Sequence, residues 1–164
     1  FIGHELNKNS RYLLENDKQN PRYLTLVNRL LNLFENKILG NGNKIIREYL
    51  DQSFKPSLVN SFIIEPGHHY EWAWLLNWSD KIHKSKKYGT LTKTLFETGW
   101  RLGWDCKNGG VFDEFDCESN QVFRSSKRLW PLLELIKVLS VLSNNSHNDD
   151  LTSALTIILS LIHI

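Results

Sequence analysis

The sequence predicts a mainly α-helical protein, and two observations carry that expectation. Apolar residues recur at three- and four-residue steps through most of the chain, in segments that return about every thirty residues. Between those segments the runs of about five strand-forming residues that a parallel sheet would need are missing. The rhythm is helix, loop, helix, with short β-like excursions, and it suits stacked helix pairs that bury their flanks against neighbours.

The first helix is expected to open at Pro21. Leu24, Val27, Leu30, Leu31, Phe34 and Ile38 fall on one face, Asn20 suits the cap, and Gly40 with Gly42 ends the run. Residues Lys44–Asp51 read as a small strand or hairpin before Pro56. A second helix runs from Pro66 to about Lys84, with Tyr70, Trp74, Leu75 and Trp78 on one face. A third covers Thr90–Trp104, with Leu91, Leu95 and Leu102 on its apolar side. Gly109 and Gly110 break the pattern. Val111-Phe112 and Val122-Phe123 flank the polar turn Cys117–Gln121, the pattern of a β-hairpin. A fourth helix spans Lys127–Leu142. After a polar loop at Asn144–Asn148, Asp149 or Asp150 caps a fifth that reaches the terminus. The chain opens on Phe1 and closes inside an apolar run, so both ends read as cut and residues 1–164 are expected to be a single incomplete domain.

Composition narrows the function. Charged residues make up 23% and apolar residues 41%, an ordinary soluble balance, and a net charge of +2 gives no footprint for nucleic acid. The apolar stretch Leu151–Ile164 is too short, and too interrupted by Thr and Ser, to span a membrane. Cys106 and Cys117 lack metal-ligand spacing and read as free thiols. Six tryptophans, five tyrosines and eight phenylalanines suit sugar faces, but are equally core material.

Three segments hold candidate chemistry. In Pro66–Trp74 (PGHHYEWAW), His68 and Glu71 are three apart and project from one side of a helix start. An imidazole beside a carboxylate is what general acid–base chemistry needs, and the first helical turn offers free N–H groups to developing negative charge. Spacing alone favours an ordinary surface pair over a catalytic one. A zinc motif is not matched, and His69, His83, His147 and His163 read as exposed or structural. In Lys127–Glu134 (KRLWPLLE), Trp130 precedes a proline, which favours an extended backbone; the indole either faces a pocket or fills a core. Glu134 stands where it can cap its own helix. In Gly109–Asp116 the acidic run reads as a solvated hairpin edge, with a cation or a sugar hydroxyl as the alternative ligand.

Together, in this order and at these intervals, the segments resemble the N-acylglucosamine 2-epimerase family. Its PGHxxEWxWLL motif is matched by Pro66–Leu76, its GGxxxE-like hairpin by Gly109–Asp116, and its K-x-(W/L)-W-P-x-x-E motif by Lys127–Glu134. The stretch Asn20–Pro56 is also similar, so the resemblance covers roughly residues 12 to 142. It implies part of an (α/α)6 barrel, a toroid with short β-hairpins in its loops, of which this chain is a C-terminal-half portion. It further implies an isomerase or epimerase acting at C2 of a reducing hexose such as N-acylglucosamine or mannose. The chemistry is proton transfer by histidine through an enediol or enolate, with no cofactor and no metal. His68 matches a catalytic histidine, Glu71 the glutamate that accompanies it, and Trp130 a tryptophan lining the sugar pocket. Leu129-Trp130, where some members have two tryptophans, is closer to the mannose isomerase branch.

The expected partner is a small-molecule sugar, with no nucleic acid and no membrane; a homodimer is left open, and the expected location is the cytoplasm. An upstream NPHMH-like motif is met only by Ile2-Gly3-His4-Glu5-Leu6, with Leu6 where a histidine is needed. A last family histidine has no counterpart, since His163 is not assigned that role. The chain alone is therefore expected to be inactive, and the alternative is a non-catalytic remnant that binds sugar or protein. A glycoside hydrolase of similar fold, drawing on Glu71, Asp113 and Glu114, is the remaining alternative.

Overall fold

The computed structural model describes residues 21–39 and 44–145, together with Lys8. Expectations for His4 and Leu6, the Asn20 cap, the Gly40 and Gly42 stop, His147, His163 and the fifth helix lie outside these residues. The described residues form helix α1 (Pro21–Leu33), strand β1 (Ile63–Ile64), helices α2 (Pro66–His83) and α3 (Gly89–Gly103), strands β2 (Glu114–Asp116) and β3 (Gln121–Arg124), and helix α4 (Leu129–Asn145).

Helix α2 is the centre, with α3 and α4 both packed against it. The expected single apolar face is too narrow a description. His69, Trp72, Ala73 and Leu76 are buried along with Tyr70, Trp74 and Leu75. A helix covered on several sides needs apolar residues round most of its circumference. From α1, Val27, Leu31 and Phe34 enter the same core, and Phe34 stacks on Trp72 with ring centroids 3.5 Å apart. The first helix also ends differently from the periodic reading: its last turn, Phe34–Ile38, is a π-helix.

The two ends of α2 are fixed by different means. At the start, Glu65 is extended and Pro66 occupies the first turn, where its missing N–H has no cost. Helix α3 approaches that turn closely, and a β-carbon on Gly103 would lie 2.3 Å from Pro66 Cβ. At the other end, the buried Asp80 carboxylate accepts hydrogen bonds from Ser85 Oγ (2.5 Å) and Tyr88 N–H (2.9 Å), which sets the turn into α3.

The sheet is antiparallel in the order β1-β2-β3, with Ile64 opposite Phe115 and Phe115 opposite Val122. The expected hairpin exists but is displaced: its first strand is Glu114–Asp116, while Val111 forms an isolated bridge with Trp104. Lys44–Asp51 makes no regular strand. It is a loop closed by the Leu50–Pro56 bridge, with the Asp51 carboxylate accepting from the N–H groups of Ser53 and Lys55. No helix among the described residues is long and apolar enough to cross a membrane.

Candidate active site

His68 lies in the first turn of α2 and Trp130 in the first turn of α4. The two helix starts meet, with the imidazole and indole centroids 5.0 Å apart and the rings tilted by 41°. Trp130 is helical rather than extended, despite the proline after it. Pro131 falls within the first turn, where a proline N–H would have no partner. Gly67 makes the approach possible, since a β-carbon there would meet the outer edge of the indole.

The partner of His68 is not the one spacing suggests. Its Nδ1 lies 2.9 Å from Glu48 Oε2, and both side chains are about a third exposed (31% and 29%). Helical side chains lean towards the N-terminus. His68 therefore points back to the loop before the helix, while Glu71, one turn further on, acts on it through charge. Burial disfavours protonation of His68. The hydrogen bond and charge of Glu48, with the charges of Glu65 and Glu71, outweigh that and hold its pKa above the ordinary 6.5. The same bond, against the opposing effect of burial, holds Glu48 below the usual carboxylate range. Glu71 moves the other way, raised first by burial and then by the charge of Glu134.

His69 is structural. It is fully buried, its Nε2 accepts the Ile46 N–H at 3.1 Å, and burial lowers its pKa to about 4, so it stays neutral. Two adjacent histidines therefore hold alternate residues of one loop, His69 at Ile46 and His68 at Glu48.

The other motif residues support this corner. Arg128 reaches Glu65 Oε2 (3.1 Å) and Asp113 Oδ1 (2.8 Å), and its guanidinium lies 5.6 Å from the Trp130 ring. Asp113 and Glu114 are buried rather than on a solvated edge. Asp113 also accepts from Ser126 Oγ (2.6 Å), and Glu114 faces Arg124 at 3.5 Å, so neither is an open carboxylate for hydrolysis. Lys127 binds Asp105 and the Gly109 carbonyl, each at 2.6 Å. Glu134 does not cap its helix. It accepts the Trp74 indole N–H at 2.5 Å and Lys137 Nζ at 2.6 Å, tying α4 to α2.

Glu48, Glu65 and His68 place donor atoms within 4.8 Å of one another, the densest set of metal-ligand types among the described residues. Within this set Nδ1 of His68 and Oε2 of Glu48 are in hydrogen-bond contact at 2.9 Å, and Glu65 is paired with Arg128. Two open clefts lie elsewhere, one of about 530 Å3 along α1 from Pro21 to Arg29 and one of about 580 Å3 from Asn77 to Gly89. Neither is lined by His68, Glu71 or Trp130, and convergent acid–base groups mark a site better than volume does.

Sequence reasoning missed Glu48, Glu65 and Arg128. Arg128 sits inside a motif already singled out, whereas Glu48 lies in an irregular loop with nothing local to mark it.

Comparison with known proteins gives the chain a family. A family model described as N-acylglucosamine 2-epimerase (GlcNAc 2-epimerase) matches residues 12–161, and the chain belongs to that family. A mannose-6-phosphate isomerase of Rhizobium meliloti is 29% identical over 122 residues, covering 70% of this chain and 30% of that protein. A D-mannose isomerase of Marinomonas mediterranea is 31% identical over 104 residues, covering 57% of this chain and 26% of its own length. The chain thus spans less than a third of either curated relative. Among solved structures, a D-mannose isomerase superposes with a TM-score of 0.76 at 23% identity, over 94% of this chain and 44% of the other. The cellobiose 2-epimerase of Spirochaeta thermophila superposes with a TM-score of 0.79 at 14% identity, over 98% and 41%. The fold is therefore part of an (α/α)6 barrel.

Proposed function

We propose that the protein interconverts a reducing hexose with its C2 epimer or its ketose, using His68 as a proton-transfer group. The observation that carries this is the His68–Trp130 pair, an imidazole backed by a carboxylate and set 5.0 Å from an indole. The indole offers a flat apolar wall to the carbon face of an open-chain sugar. The imidazole removes the proton next to the carbonyl, forming an enediolate. Protonation at C1 gives the ketose, and at the other face of C2 the epimer. Glu71, one turn further along α2 and with its pKa raised by burial and by the charge of Glu134, is the carboxyl placed to interact with the developing oxyanion. Relatives named as mannose isomerases favour mannose and the aldose–ketose outcome. Among the described residues His68 is the imidazole brought to this corner, so a two-base transfer draws its second group from elsewhere in the barrel.

The test is deuterium wash-in at C2 of mannose and of N-acetylglucosamine by the full-length protein and its His68→Ala variant. Loss of exchange in the variant supports the role of His68. Exchange at the unaltered rate overturns it.

A further inference from the structure

Glu48 is anchored by its backbone and aimed at a single atom. Its N–H donates to the Ile63 carbonyl at 3.1 Å, which fastens it to β1. Two residues earlier, the Ile46 N–H is held by His69. One residue earlier, the Arg47 guanidinium donates to the Ser61 carbonyl. With three successive residues tied down, the Glu48 carboxylate has little freedom beyond its own rotamers, and it meets His68 Nδ1 at 2.9 Å.

That placement selects a tautomer. A carboxylate only accepts, so Nδ1 carries the hydrogen and donates it to Glu48, leaving the lone pair on Nε2. No hydrogen bond reaches Nε2 from the described residues. We infer that Glu48 is a positioning residue for proton transfer at His68, one that fixes the imidazole as the Nδ1–H tautomer and stabilises the imidazolium formed when Nε2 takes a proton. Other charged groups face the pair from neighbouring elements: Glu65 at the cap of α2 and Glu71 of α2 near His68, and Arg128 near Glu48. Arg128 is engaged by Glu65 and Asp113, so Glu48 is the carboxylate in direct contact with the ring.

The inference rests on the role given to His68 above, and its test separates the two. In the full-length protein, Glu48→Gln keeps an acceptor and the shape but removes the charge. The expected result is a fall in kcat of about tenfold or more with KM changed less than about twofold. The acid limb of the pH–rate profile should move about one unit lower, because a neutral amide no longer favours imidazolium. Nitrogen-15 NMR of His68 should show its titration moving the same way, a readout independent of turnover. An unmoved titration and pH limb, or a loss confined to KM, overturns the role of Glu48 and leaves that of His68 standing. Unaltered exchange in His68→Ala overturns the role of His68, and the role of Glu48 with it.

Discussion

The six-membered ring of Trp130 lies across Gly67 so closely that an added β-carbon would stand 2.5 Å from Cη2 and 2.7 Å from Cζ3, with Pro131 Cβ at 3.0 Å. The indole is packed directly against the backbone of the first turn of α2. Gly67→Ala is therefore expected to push Trp130 away from His68 and to cost about 1–3 kcal/mol by overpacking. Phenylalanine at position 130 lacks the outer ring, so Gly67→Ala with Trp130→Phe should recover part of that loss, giving a coupling energy of the opposite sign. Urea midpoints of the two single variants and the double variant measure it. Strict additivity would mean that the contact does not constrain the indole.

The same contact shows how much of the site was legible. The Pro66–Leu76 and Lys127–Glu134 motifs were visible as separate strings, and the reason they go together is that Gly67 makes room for Trp130. Lys127 explains the Gly109-Gly110 turn, which it closes from across the hairpin. Helix positions were readable because their apolar periods are long. Strand β1 was not, since two residues show no period. The partner of His68 was unreadable for a different reason. Spacing pairs residues along one helix, but the side chain leans back onto a loop twenty residues upstream, and no local pattern reports that contact.

A second expectation concerns Glu134, which accepts the buried Trp74 indole N–H. Glu134→Ala leaves that donor unpaired and should cost about 1–3 kcal/mol, whereas Glu134→Gln keeps an acceptor and should cost less. Both remove a charge that raises Glu71, so the Glu71 titration should fall towards its ordinary 4.5 while staying above it because burial persists. Side-chain carbon-13 titration with chemical denaturation checks both effects. A Glu71 titration that does not move would place Glu134 outside its electrostatic reach.

The His68–Glu48 bond also predicts a pH window. A histidine raised above its unfolded value of 6.5 contributes stability that is complete below 6.5 and is lost as pH rises through the folded pKa. A glutamate lowered from 4.5 contributes stability present above 4.5 and lost as pH falls through its folded pKa. These are two views of one coupling, which is therefore strongest between about pH 4.5 and 6.5. For a pair this exposed its size is about 1 kcal/mol. Stability curves from pH 4 to 9 should differ most between the parent and Glu48→Gln inside that window and converge at alkaline pH. A constant offset would assign the difference to packing.

The last expectation follows from Arg128, which joins the hairpin to the cap of α2. It donates from Nε to the buried Asp113 (2.8 Å) and from the guanidinium end to Glu65 (3.1 Å), and its own N–H adds a 3.1 Å bond to Asp113. Removing its side chain takes the charged partner from a carboxylate that is only 3% exposed, leaving it the Ser126 hydroxyl and the backbone N–H of residue 128. Losing one partner of a buried pair costs about 3–5 kcal/mol, but Arg128 itself is nearly half exposed (47%), so about 2 kcal/mol is expected for Arg128→Ala. Arg128→Lys keeps the charge but cannot span two carboxylates with one planar fork, and should fall between. The Asp113 pKa lies below its ordinary 3.8: burial works against this, and the hydrogen bonds from Ser126 and Arg128 overcome it. The contribution of the pair is thus present above 3.8 and is lost as pH falls through the lower folded value. The penalty of Arg128→Ala should accordingly be full at pH 7 and shrink in strong acid, read as urea midpoints at the two pH values. An equal penalty at both would mean that Arg128 acts through the contact of its guanidinium with the Trp130 ring rather than through Asp113.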